Sequence, residues 1–523
     1  MATVRAYIAI DMENLSTWYG VVTEASGSRI IVESYPFKAV YEGSFFYNDF
    51  GISDGSLQKF SSYYGNSLAV VTEGFSVSAL TAFVAINTYR ASELARLILS
   101  GPDNIQGSFF GDRLLGYDGD DLIFGNDGND TLKGGAGRDT LFGGNGGDWL
   151  SGDADDDTLD GGIGNDTLYG GSGRDLLRGG EGADQFWGEA GNDLLDGGIG
   201  DDSLYGGDGD DTLSGGSGND IISGGPGFDT AAIHALRRQE AVTGNPVFSA
   251  RLNGLEGSDA LTSVEVLRFT DGWLSFDATG TAGSVQRLYG ATLGRAPDPT
   301  GLGSWISAIE DHGLSLSATA QSFVASSEFQ LRFGVPDNGG FIGLLYTNVL
   351  GRPADSSGQA YWTNLLQSGQ LSRAGVVLGF SESSEMIAQT SARYQSGVWA
   401  PDPVAVDVVR YYHTVIDRQP DAGGLSYWID RREQGLSLTQ MSEAFVTSPE
   451  FQNRYGSLSN AGFVAQLYLN ALDRPGDAGG IAYWDGLLDA GAITRADVVA
   501  GFAFSNEMTA AITPYVTDGV FFA

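Results

Sequence analysis

Every ninth residue from Asp103 to Asp229 is an aspartate, fifteen in unbroken succession. Two positions after each stands an apolar residue, usually leucine, as at Leu114, Leu132, Leu141, Leu150, Leu159 and Leu168. Five positions before each aspartate, from Gly107 to Gly224, stands a glycine. The unit reads G-G-x-G-x-D-x-U-x, as in Gly134-Gly135-Ala136-Gly137-Arg138-Asp139-Thr140-Leu141-Phe142. A strict nine-residue period points to a coiled stack of identical half-turns. In it x-U-x is a short strand with its apolar residue inward, and two units complete one coil of eighteen residues. A disordered Gly/Asp-rich tail has a similar composition, but disorder does not require an apolar residue at every ninth position.

The spacing also carries chemistry. Glycines let the chain turn where a Cβ would forbid it, and the turns expose carbonyl oxygens beside the aspartate carboxylates. Calcium is a hard ion that takes about 6–8 oxygen ligands in flexible geometry. One turn supplies too few, so ions are expected between successive turns. The expected metal residues are Asp121, Asp130, Asp139, Asp148, Asp166, Asp175, Asp184, Asp193, Asp202, Asp211 and Asp220. With them go the turn glycines Gly128, Gly137, Gly164, Gly173, Gly182, Gly191, Gly200, Gly209 and Gly218. Residues 101–230 hold 28 acidic and 5 basic side chains, a net of −23. Without divalent ions such a density repels itself open, and roughly ten calcium ions would cancel most of it. The segment is therefore expected to fold only in calcium.

These residues resemble the RTX repeats of Gram-negative secreted proteins, over about a quarter of the chain. The resemblance implies a parallel calcium β-roll, an extracellular or cell-surface location and export by type I secretion. The export signal of such proteins lies at the C-terminus, and this chain ends Asp518-Gly519-Val520-Phe521-Phe522-Ala523. Three units depart from the pattern: Phe110 and Asp155 replace the glycine two before the aspartate, and Glu189 the glycine four before. Weaker or missing sites are expected there. The first units, around Asp103 and Asp112, lack much of the glycine framework and read as an opening cap. Asp229 is followed by Ala231 and reads as the end of the roll.

Composition sets bounds. The chain of 523 residues is long enough for three or four domains. Its net charge of −38 argues against nucleic acid as a partner. It has no cysteine, hence no disulfide or thiol chemistry. No apolar run approaches the ~18 residues of a spanning helix, and Met1–Asp11 lacks the apolar core of a secretory signal.

Residues 1–100 read as β-rich, with strands expected at 5–11, 18–23, 29–35 and 67–71 and a helix at 90–99. The aromatic stretch Tyr41-Glu42-Gly43-Ser44-Phe45-Phe46-Tyr47 alternates poorly. The region resembles N-terminal segments that precede nonapeptide repeats in other secreted calcium-binding proteins. It would cap the first coil, or serve as a self-assembly or anchoring module. Residues 231–283 are expected to form a β cap and linker, because 257–272 resembles the segment that often follows such arrays. No chemistry is expected in it.

From residue 284 a second repeat takes over. Leu293-Gly294-Arg295-Ala296-Pro297-Asp298-Pro299-Thr300-Gly301 recurs around Arg352 and Asp355, Arg418 and Asp421, and Arg474 and Asp477. Each Arg has a Tyr six residues before it (Tyr289, Tyr346, Tyr412, Tyr468) and a Trp ten after (Trp305, Trp362, Trp428, Trp484). A Ser-x-Glu follows, ending at Glu328, Glu385, Glu450 and Glu507. Helical spacing (Val285, Leu288, Tyr289, Thr292) and an Arg-x-x-Asp turn with Asp as N-cap describe helices broken and restarted. Glu-Phe in units one and three and Glu-Met in units two and four suggest a duplicated pair, 284–400 and 401–523. The pattern resembles a small helical domain of unknown function often appended to RTX and surface-layer-like proteins. Arg295, Asp298 and Trp305 would form a sugar site on one reading. On the other they are an Arg–Asp tether beside a core Trp that packs on the Tyr helix.

His234, His312 and His413 are scattered without metal-ligand spacing, and neither H-E-x-x-H nor G-x-S-x-G occurs. Lys38, Lys59 and Lys133 lack any supporting context for acylation. Sixty-six acidic residues always offer carboxylate pairs, so these motifs alone do not eliminate an enzyme. Tyr169, Trp187 and Tyr205 lie eighteen residues apart and are expected to stack outward on one face of the roll, as a docking face for a partner, for glycan or for this chain's own helical part.

The expected fold is multidomain: a β-rich N-terminal domain, a parallel calcium β-roll, a small β cap and all-α C-terminal repeats. The expected function is that of a secreted, non-enzymatic calcium-binding structural protein. It would self-assemble as a layer, filament or adhesive coat, with itself or envelope polysaccharide as partner. The alternatives are a polysaccharide-binding protein using the helical repeats, and a secreted enzyme whose site the motifs do not reveal.

Overall fold

The structure is a computed structural model that describes residues 101–517 and Gly519 in full, and the backbone alone of strands between Thr3 and Ser78. It divides into two compact units. The first comprises 1–232 and 242–264, the second 233–241 and 265–523. The segments 7–11, 18–20 and 90–99, Asp518 and Val520–Ala523 lie outside the described residues, and with them most of the expected strand 5–11, half of that at 18–23, the expected helix and most of the C-terminal signal.

In the first unit the nine-residue period becomes a two-sheet parallel roll. A six-residue strand begins directly after each interior aspartate, as Thr131–Ala136 and Thr140–Asn145. Alternate strands pair in parallel with a register of eighteen, so Leu132 faces Leu150 and Leu141 faces Leu159. The ladder is longer than x-U-x because the turn glycines continue it: Gly128 N donates to Asn145 O and Gly146 N to Ile163 O, both at 2.8 Å. The apolar position fills the space between the sheets. From Ile105 to Leu213 these side chains have no solvent exposure, each buried leucine contributing about 1.5–3 kcal/mol.

Both ends of the roll are covered by backbone. Thr3–Ala6 pairs in parallel with Asn104–Gln106 and antiparallel with Ser67–Ser78. That pairing joins the first rung to an antiparallel set containing Val21–Ala25, Arg29–Ser34, Phe37–Asn48 and Gly51–Tyr64. The strand Gly51–Tyr64 was not expected, since its polar-rich sequence shows little strand patterning. At the far end one sheet stops at Thr230–Ile233, but the other goes on. Ser258–Thr262 pairs in parallel with Ile221–Ser223, and Leu261 is fully buried in the apolar column. Residues 231–283 are thus not one cap. Residues 242–264 belong with the roll, while Val266–Phe269 pairs with Gly272–Ser275 in the second unit.

The second unit is helical. Each repeat has four helices, for example Thr281–Leu293, Pro299–Glu310, Leu316–Ala325 and Ser327–Phe333. The first ends in a left-handed residue (Gly294, Gly351, Asp417 or Asp473). The second starts on the conserved-pattern aspartate: Asp298, Asp355, Asp421 and Asp477 each accept a bond from the N–H three residues on, as N-caps do. That third residue is a glycine in every repeat because a Cβ there would run into the tyrosine hydroxyl of the first helix. Val398–Pro401 connects the two pairs and extends the Gly272–Ser275 hairpin by a third strand.

Candidate metal centre

Each interior aspartate is held by the rung before it. Asp121 N donates to Asp139 Oδ1 at 2.8 Å and Asp130 N to Asp148 Oδ1 at 2.7 Å, and the same bond recurs up to Asp211 N and Asp229 Oδ1. This uses one carboxylate oxygen. The other, Oδ2, is buried without a hydrogen-bond partner at every ninth residue from Asp121 to Asp220, twelve in all. These residues are at most 3 % exposed. A buried unpartnered carboxylate oxygen is costly unless a cation meets it.

The turns supply the complementary oxygens. Gly128, Gly137, Gly146, Gly164 and their successors to Gly227 take φ between 120° and 156°, a region closed to most side chains. A Cβ placed at Gly125 would run into both Asp130 Oδ2 and Gly143 O, so the orphaned oxygen and the next rung's carbonyl share one space. Among the described residues no three carboxylates or imidazoles converge on a point. An ion held here would take most of its ligands from carbonyls, as a hard, oxygen-seeking cation does.

Electrostatics agree. Burial, aided by neighbouring aspartates and opposed by the backbone N–H, pushes Asp121 and Asp157 up to about 8. Burial likewise lifts Asp139, Asp166 and Asp202 to about 7 and Asp130 to about 6. Without a cation these carboxylates would rather be neutral.

The expected residues sit in this array, and two readings change. Asp157 was left out because Asp155 replaces its turn glycine, yet Asp157 is 2 % exposed, bonds Asp139 N at 2.7 Å and keeps its Oδ2 free of hydrogen bonds. Asp155 and Glu189 simply adopt the glycine conformation, with φ of 75° and 74°. So do Tyr117, Asn126 and Asp153, which the pattern search did not single out. The opening unit differs in kind: Ser108 N donates to Asp112 Oδ2 at 2.5 Å, taking the oxygen that later rungs leave open.

The aromatic ladder forms as expected and gains one ring. Tyr169 and Trp187 stack at 4.7 Å and 8°, Trp187 and Tyr205 at 5.7 Å and 15°, and Trp149 joins at 5.5 Å. The rings lie on the outer face, opposite the buried Leu168, Phe186 and Leu204, but their faces are spent on one another, so that Tyr169 and Trp187 are half-buried and Tyr205 is 38 % exposed. Edges are left for solvent, which suits a sugar poorly. Trp149 stands off the eighteen-residue spacing, two positions before Ser151, the register partner of Tyr169.

In the helical repeats the Arg–Asp tether proves secondary. Arg295 grips Glu328 through 2.7 and 2.8 Å bonds and only approaches Asp298, at 3.9 Å. Arg418 does the same with Glu450. The Trp meets a phenylalanine of the third helix (Trp305 to Phe323, 5.0 Å), which in turn meets Tyr289 at 4.7 Å. These contacts make Arg295, Asp298 and Trp305 a scaffold.

The comparisons with known proteins bear on both halves. The family described as RTX calcium-binding nonapeptide repeat matches residues 99–132, 124–159, 133–168, 160–195, 169–204 and 196–231. A domain of unknown function, DUF4214, matches 320–390 and 442–512. Each match runs from the third helix of one repeat into the fourth helix of the next, and leaves the first two helices of repeats one and three outside it. No curated protein matches the chain. RTX repeats bind calcium and imply a secreted protein, and no described helix is long and apolar enough to cross a membrane.

Proposed function

We propose that this chain, with RTX repeats followed by two copies of a helical domain of unknown function, is a secreted structural protein that calcium folds and that assembles outside the cell. The observation that carries the calcium part is the file of twelve buried Oδ2 atoms without hydrogen-bond partners. The residues that would hold the ions are the aspartates from Asp121 to Asp220, Asp157 included, with carbonyls of the turn glycines. Roughly one ion per pair of stacked turns, about ten in all, follows from the ligand number of calcium. Self-assembly as a layer, filament or adhesive coat draws support from repeated modules on one chain, whose weak contacts sum by multivalency. Type I secretion accords with the RTX match.

Sedimentation velocity of the full chain, in chelator and then in millimolar calcium, tests this. An expanded monomer converting to large particles supports it. A compact monomer alone overturns the assembly role and leaves calcium folding standing. No change at all overturns both.

A second reading, polysaccharide binding by the helical repeats, is favoured by one feature. Tyr361, Tyr427 and Tyr483 occupy the same position in three repeats and are 55–62 % exposed, each beside a Trp. Exposed aromatic faces suit sugar rings. Retention of the chain on envelope polysaccharide, lost when the three tyrosines become serine, would establish it.

A further inference from the structure

The matched repeats end at residue 231, but the sheet carrying Ile221–Ser223 acquires another rung from a distant part of the chain. In the interior, Asp202 N donates to Asp220 Oδ1, Asn219 N to Asp201 Oδ1 and Ile221 N to Asp202 O. At the end the same three bonds are made with the register lengthened from 18 to 39 residues. Asp220 N donates to Asp259 Oδ1 at 3.0 Å, Ser258 N to Asn219 Oδ1 at 3.2 Å and Ala260 N to Asp220 O at 2.8 Å.

The turn is reproduced as well. Gly257 has φ 144°, close to the 149° of Gly218, and the two form a parallel bridge. A Cβ at Gly257 would strike Gly218 O, as one at Gly146 would strike Gly128 O. Ser263, at φ 51°, presents its carbonyl to Gly224, where interior rungs present that of a glycine. Asp259 is 4 % exposed and Leu261 fully buried. Beneath this turn lies Asp220, 2 % exposed, whose Oδ2 has no hydrogen-bond partner. Ser249–Asn253 then pairs antiparallel with Ser258–Thr262 and ends the parallel stack.

We propose that Gly257–Thr262 is a displaced half-turn of the roll, and that its turn, stacked on Gly218–Asp220, completes a further calcium site. Asp220 and Asp259 would supply carboxylate oxygen and the glycine turns carbonyls. The inference rests on the calcium reading of the roll. Its consequence is that loading of this site ties residues 233–256 into a closed excursion, so that the end of the roll is ordered by calcium.

Full-length Asp259→Asn keeps the acceptor for Asp220 N but removes the charge. Native mass spectrometry in calcium should count one ion fewer than in the unaltered chain. Hydrogen exchange should quicken at Ile221–Ser223 and Ser258–Thr262 while the interior rungs are unchanged. The same ion count with the same protection overturns the proposal and leaves the calcium roll intact. Should the variant not fold, the unaltered chain decides. Ser258–Thr262 should gain protection over the calcium range that protects Ile221–Ser223, and full protection in chelator overturns the proposal. An unaltered chain that binds no calcium overturns the roll reading with it.

Discussion

Arg287 has no solvent exposure, and its guanidinium is bonded to Glu382, ninety-five residues further along the chain. It also donates to Ala278 O and, at 3.0 Å, to Ser284 Oγ. One buried charge thereby pins the start of the first helical repeat to the third helix of the second.

Removing Glu382 leaves that charge without its counter-ion. Breaking a buried pair costs about 3–5 kcal/mol. Glu382→Ala should lower the unfolding free energy of the helical unit by about that amount, read from urea titrations followed by tryptophan fluorescence. A loss below about 1 kcal/mol, the level of a surface pair, would mean that water reaches Arg287.

The left-handed positions of the roll give opposite signs for two substitutions. Gly146→Ala sets a Cβ against Gly128 O at a φ of 143° and should destabilise the calcium-loaded roll by more than 1 kcal/mol. Asp155→Gly relieves a non-glycine residue at φ 75° and should stabilise it by about 1 kcal/mol. Thermal melts in saturating calcium check both, and a stabilising Gly146→Ala would refute the stacking of carbonyls.

Acid should fold the metal-free roll. Burial raises Asp121 and Asp157 to about 8 and Asp139 to about 7, against about 3.9 for an unfolded aspartate. A folded state with raised pKa values binds more protons than the unfolded chain, so stability rises as pH falls from about 8 toward 4. Far-ultraviolet circular dichroism in chelator should gain β signal over that window. A metal-free chain that stays unfolded at pH 4.5 would contradict this.

Trp187 stacks on both neighbours of its ladder. Trp187→Ser should cost about 1–3 kcal/mol through two lost aromatic contacts. If the ladder is an assembly face, the variant should also give smaller particles in calcium. Unchanged melting and unchanged particle size would remove the ladder from both roles.

Periodicity made the roll and its aspartates legible, since each Asp-x-Leu repeats one local environment. It could not reveal Asp259, which keeps the Asp-x-Leu pattern but stands 30 residues after Asp229, off the nine-residue period. It also undervalued Asp157, because backbone strain at Asp155 is absorbed locally and leaves the carboxylate in place. In the helical repeats the Asp N-caps were readable from short-range spacing. The Arg295–Glu328 grip was not, because its partners are 33 residues apart and Ser-x-Glu reads equally well as a helix start.

The bond from Asp121 N to Asp139 Oδ1 always runs the same way, from an earlier amide to a later carboxylate. Along this file each carboxylate is therefore held from the rung before it, and the last rung needs a carboxylate from beyond the nine-residue period. The last amide of this file on the sheet of Ile221–Ser223 is that of Asp220. Asp259 occupies that amide from within the chain. The file thus closes within the chain, with Asp259 standing where the next periodic carboxylate would stand.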